Sequence, residues 1–281
     1  MRIAPANASR YQIPLIALVP FLLMTFGLAW GLFAIFILLP KQMVAIFGIL
    51  SGQHPLFILA VWAPAIAAFI TVISYAGIAG LWRYLSRLFL WHCPPAWCAF
   101  VWVGIPLLFY GGAALKGNLF TEPFPFSLYQ SLILALATTS VIGPIEEFGW
   151  RGLALPLLQR RFAPIWAGLI LGLIWGIWHL PAFLLSGTPQ STWSFPPFLI
   201  GSVAISIIIT PLFNASHGSI LLPFLVHFQL NNPLWPDAQP YDTLFFVAAA
   251  VLVIWINRKT MFRRGDIVTD VIPPSRRFTA S

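Results

Sequence analysis

Charge is scarce in this chain. Only 8% of its 281 residues are Asp, Glu, Lys or Arg. A soluble domain carries about a quarter charged residues, so an ordinary water-facing surface cannot be built from this sequence. Cysteine is almost missing too: Cys93 and Cys98 are the whole supply, which excludes a disulfide-framed secreted scaffold. Their setting, HCPPAWC, is not CxxC, and with His92 on a Pro-Pro turn it makes a poor tetrahedral metal site. A cytosolic face disfavours a disulfide there, so interfacial packing of free thiols is expected. HExxH is absent, which removes the zinc-protease helix that carries it. Strict polar–apolar alternation is absent as well, which removes a transmembrane barrel.

What is present is apolar, 59% hydrophobic and 16% aromatic. A bilayer crossing takes roughly 20 residues, and the runs reach that length. Lipid offers no partner for unpaired backbone groups, so the crossings are helices. The expected fold is all-α and polytopic, with eight spans near Ile13–Leu39, Pro55–Ala79, Ala96–Leu115, Ser127–Leu158, Ala163–Leu185, Phe195–Phe213, Ser219–Asn231 and Thr243–Ile256. One membrane domain, 1–257, precedes a basic tail, 258–281, whose RRGDIVTDVIPPSRR offers little to bury and is expected to be mobile. The first run is too long for a signal peptide and has no small-residue cleavage site, so it is expected to stay in the mature protein.

Arg2, Arg10, Arg83, Arg87, Arg160, Arg161, Arg258, Lys259, Arg263, Arg264, Arg276 and Arg277 all fall on one side of an eight-span arrangement, leaving Lys41 and Lys116 opposite and Arg151 within a span. That bias places both termini in the cytoplasm, with a plasma (inner) membrane as the location. The formal charge of +8 then reflects topology and contact with the lipid bilayer, and no nucleic-acid partner is expected.

Against this background, ionisable groups at membrane depth stand out, since each costs roughly 2.5–3.5 kcal/mol to insert. GPIEEFGWRG carries Glu146, Glu147 and Arg151; LIWGIWHLPAF carries His179; FLVHFQLNN carries His227 and Asn231. Glu147 and Arg151 are i,i+4 neighbours able to pair, whereas Glu146 lies about 100° round the helix and faces elsewhere. At about 1.5 Å per residue, Glu146 sits roughly 20 Å from the surface marked by Arg160 and Arg161, and His179 about 27 Å. His227 and Asn231 sit about 15–20 Å from the turn at Asn214–Gly218. The three clusters can therefore meet inside the membrane. Taken singly, Glu147–Arg151 could be a structural pair and either histidine an interhelical hydrogen bonder. Two histidines and a free carboxylate on three helices make a set able to hold a water or a metal. His217, in a short turn, and His54, at the opposite interface, are expected to be loop and interfacial residues.

EEFGWR fits EExxxR and HFQLN fits HxxxN, in order, with WGIWH between them in the place of FxxxH, Trp175 standing for Phe. In these motifs, over about 127–232, the chain resembles the CPBP intramembrane proteases, the CAAX-protease and bacteriocin-processing group. The resemblance implies endoproteolysis of a membrane-associated peptide or protein, in eukaryotic relatives a prenylated CaaX tail. By analogy, Glu146 and His179 activate a water, His227 and Asn231 stabilise the oxyanion, and Glu147 and Arg151 hold the geometry, with Trp175 as an aromatic wall. A carboxylate in an apolar site suits the base, and an Asn amide suits the oxyanion donor. Members have been labelled both metalloproteases and metal-independent glutamate proteases. Glu146, His179 and His227 could ligate zinc with an open fourth position, although water activation without metal is the preferred reading. The rival is a non-catalytic membrane protein (an immunity or scaffold protein, or a small permease) with the same polar cluster in a structural role.

Overall fold

The computed structural model describes residues 12–119, 128–265 and 267–273, and among them there is helix but no strand. Six helices are long and apolar enough to cross a membrane: α1 (Leu15–Leu38), α2 (Ala63–Phe89), α3 (Pro95–Lys116), α4 (Tyr129–Gln159), α5 (Pro164–Leu184) and α6 (Phe195–Ala215). This is a multi-pass membrane protein. Two shorter apolar helices, α7 (Leu221–Leu230) and α8 (Asp242–Ile256), occupy the places of the seventh and eighth expected spans. Their 10 and 15 residues fall below the roughly 20 that a crossing needs. α7 stops at Asn231–Asn232 because Pro233, Pro236 and Pro240 follow, and a proline disfavours helix in the residue before it. α2 runs ten residues past its expected end at Ala79, through Arg83 and Arg87.

Small residues set the tightest helix contact. A Cβ at Gly172 of α5 would come within 2.7 Å of the Val203 backbone on α6, so the glycine lets these two helices close up as small residues do in membranes.

α4 is the irregular element. Its regular part ends at Val141, a 3-10 turn follows at Pro144–Glu146, a π turn at Phe148–Ala154, and regular helix resumes at Leu155–Gln159. Pro144 and Pro156 lack the N–H groups that a continuous helix would use. The carbonyls freed along this stretch are taken from in and just before α2. Trp62 donates to Val141 at 2.8 Å, the Tyr84 hydroxyl to Phe148, and Arg87 to Gly152 at 2.6 Å. Fully buried Arg87 and Tyr84 are therefore local partners for a broken helix.

Part of the tail departs from its expected mobility. Val271 and Ile272 are buried, and the segment 267–273 is tied down by donors at the basic end of the bundle. Gln159 bonds the Val268 carbonyl at 2.8 Å, Arg160 the Thr269 carbonyl at 2.9 Å, and Arg87 the Val271 carbonyl at 2.9 Å. The apolar pair inside an otherwise polar stretch, together with arginines needing acceptors, accounts for the docking. Residues 274–281, with Arg276 and Arg277, lie outside the described residues, as do Arg2 and Arg10.

Cys93 and Cys98 are joined as a disulfide, against the expectation of free thiols. A turn of helix after Pro94 brings their Cα atoms to 6.0 Å, within bonding range. His92 and His217 stack with ring centroids 4.9 Å apart. His54 caps the helix Pro55–Val61 by accepting from Leu56 N–H at 3.1 Å.

Candidate active site

The break in α4 puts Glu146 on the 3-10 turn and Glu147 at the mouth of the π turn, both buried. π turns inside helices frequently mark functional positions, and here the irregularity lets adjacent carboxylates serve different partners. Glu146 Oε2 accepts from the Trp150 indole at 3.1 Å and from the Trp175 indole at 2.9 Å. Its Oε1 has no protein donor among the described residues. Glu147 Oε1 accepts from Arg151 at 2.8 Å and from His227 Nδ1 at 2.9 Å.

The histidines arrive at the same place from α5 and α7. His179, at the end of the regular part of α5, has Nδ1 2.8 Å from the Trp175 carbonyl. A carbonyl only accepts, so Nδ1 carries the proton and Nε2 keeps its lone pair when the ring is neutral. His227 donates Nδ1–H to Glu147, which turns its Nε2 towards Gly143 and Asn231. A Cβ at Gly143 would lie 3.1 Å from that Nε2 and would collide with the Asn231 amide nitrogen. Glycine is required here for close approach. Both imidazoles flank one indole, Trp175 lying 5.5 Å from His179 and 5.5 Å from His227 between ring centroids.

Glu146, Trp175, His179, His227 and Asn231 all line one cavity of about 620 Å³. Glu147 and Arg151, fully buried, stand behind it. Loops 48–54, 185–194 and 231–241 supply Gly52, Gln190 and Trp235 to the lining at one end of the bundle. That is the end of the bundle opposite the turns bearing Arg87, Arg160 and Arg258.

Glu146, His179 and His227 are brought into one chamber but not into a ligand shell. Among the described residues no group of three or more His, Cys, Asp or Glu side chains is placed to hold a metal ion, and Glu146 Oε2 is already occupied by two N–H donors.

Three features go beyond the motif reading. Trp175 is more than an aromatic wall, because its N–H, which phenylalanine lacks, holds the carboxylate, while its ring lies 4.9 Å from the Arg151 guanidinium carbon. Trp150 does the same from i+4, a spacing visible in EEFGWR. Glu147 orients His227 across 80 residues of sequence, and no local pattern carries that signal.

Residues 128–232 match the family model described as Type II CAAX prenyl endopeptidase Rce1-like. Over this core the chain is similar to the Rce1-like family. Glu146, Glu147, Arg151, Trp175, His179, His227 and Asn231 all fall inside the matched residues. Over 166 residues the chain is 28% identical to CAAX prenyl protease 2 of Methanococcus maripaludis, a match covering 54% of this chain and 60% of that protein. The aligned stretch thus spans less than two thirds of the relative's length.

Proposed function

We propose that this protein is an intramembrane endopeptidase that hydrolyses a peptide bond of a membrane-associated peptide or protein with a water activated by Glu146 and His179. The observation that carries the reading is the division of labour among polar atoms. Glu146 Oε2 is fixed by two indole N–H groups, and each imidazole has its Nδ1 committed. One carboxylate oxygen and two Nε2 atoms are left for chemistry in the chamber.

A water held by Glu146 attacks the carbonyl carbon and gives its proton to the carboxylate. The C–O bond forms while the carbonyl π pair moves to oxygen, where the Asn231 amide and a protonated His227 donate to it. The C–N bond then breaks, and the leaving nitrogen takes the proton through His179. Burial excludes bulk water, which strengthens each of these interactions. A prenylated CaaX tail is one substrate that this reading admits.

Trp175→Phe keeps the ring stack but deletes one donor to Glu146. Hydrogen bonds to charged groups are worth about 1.5–3 kcal/mol, so kcat is expected to fall on the order of 10- to 100-fold with KM little changed. Unchanged kcat would mean that the indole N–H is not needed to hold the base.

With the basic end in the cytoplasm, the loops that line the chamber face away from it. Right-side-out vesicles given peptide from outside are expected to cleave it, and to do so equally well in EDTA. Loss on chelation with recovery on zinc would restore the metalloprotease reading. Cleavage confined to inside-out vesicles would reverse the orientation.

A further inference from the structure

The outer part of the chamber holds a second set of polar groups that the hydrolytic reading does not use. Asp242 opens α8 and is only 3% exposed. Its Oδ2 accepts from the Gln239 side chain at 2.9 Å. Its Oδ1 is buried and has no partner among the described residues. The same is true of Gln190 Oε1, Gln239 Oε1 and the Trp235 indole nitrogen, and all four residues line the chamber. Buried polar atoms without partners are rare in folded proteins, and each calls for an explanation. With the Trp178 indole nitrogen, also unpartnered, the lining of this one cavity offers three acceptors and two donors.

The nearby charges sharpen the chemistry. Asp237 is already paired with Lys116, Nζ to Oδ2 at 2.5 Å. Among the described residues Asp242 has no ion-pair partner. A group that satisfies this wall therefore brings several N–H donors and a positive charge. Phe246, one turn further along α8, and Phe198, whose ring lies 5.1 Å from that of His179, also line the cavity, and suit the aliphatic stem of a long cationic side chain. A free carboxylate, by contrast, would meet a wall of acceptors.

We propose that Asp242, with Gln190 and Gln239, forms a subsite that takes a cationic group of the substrate, a Lys or Arg side chain or a free amino terminus. The proposal rests on the endopeptidase reading for the word substrate, but not for the binding itself. Asp242 here determines specificity and does not touch the reacting atoms.

The test uses the full chain in detergent as the Glu146→Gln variant, so that bound peptide is not cut. The probes are matched fluorescent peptides carrying Lys or Arg, their norleucine or citrulline counterparts, and versions with a free or acetylated amino terminus. Cationic peptides are expected to bind about 10-fold or more tightly than neutral ones. Asp242→Asn is expected to collapse that ratio towards one, and Asp242→Glu to keep most of it, which separates a charge contact from a folding role. The side-chain and amino-terminal pairs identify which cation is read. Equal binding of cationic and neutral peptides, or a preference that survives Asp242→Asn, overturns the subsite. Parallel turnover by the chain with Glu146 intact keeps the two readings apart. Peptides bound with the charge preference but never cut would remove the endopeptidase and leave the subsite. Peptides cut without preference would do the reverse.

Discussion

Glu146→Gln is expected to lower peptide turnover by about 10³-fold, in the range that a positioned general base supplies, with no loss of thermal stability. Glutamine has the same shape, and its amide oxygen can still accept from Trp150 and Trp175. What it cannot do is take a proton from water. The substitution also removes a buried charge that no cation contacts directly, a change that costs the fold nothing. The readouts are kcat on a membrane-peptide library and the melting temperature in the same detergent. Turnover within 10-fold of the parent would end the assignment of Glu146 as base. Full biological function in cells lacking this carboxylate would favour the immunity, scaffold or permease reading instead.

The neighbouring carboxylate should behave in the opposite way. Glu147→Gln leaves Arg151 as a fully buried guanidinium without its counter-ion, and breaking a buried pair in this manner costs about 3–5 kcal/mol. A clear drop in melting temperature is expected. Turnover should fall too, because His227 loses the acceptor that directs its Nε2 at Asn231 and Gly143. Adding Arg151→Met removes the stranded charge, so the double variant should regain most of the stability and little of the activity. Recovery of both together would reduce Glu147 to a purely structural partner and detach His227 from it.

Much of the site could be read from spacing along one helix. Glu147–Arg151 and Glu146–Trp150 are both i,i+4, and the 3.6-residue period brings such pairs into reach even where α4 passes into a π turn. Trp175 and His179 follow the same rule, His179 reaching the backbone carbonyl one turn back. The depth arithmetic assumed one smooth α4. The structure breaks that helix at Gly143–Pro144, yet Glu146, His179, His227 and Asn231 still line one chamber, and donors in and just before α2 take up the freed carbonyls. Other expectations failed for want of long-range information. The docking of 267–273 depends on Arg87 in α2 and Arg160 just after α4, both over a hundred residues away.

Composition alone made this a helical membrane protein, since lipid tolerates no unpaired backbone and 59% hydrophobic content supplies the crossings. Short-range spacing picked out Glu146, His179, His227 and Asn231, because a helix's rise and turn are set by its own backbone. Which nitrogen of each imidazole is spoken for, that Trp175 donates to Glu146 where a phenylalanine could not, and that Asp242 shares their cavity were settled only by packing. Contacts between helices answer to side-chain volumes and loop lengths summed over the whole chain, and no local stretch contains that sum.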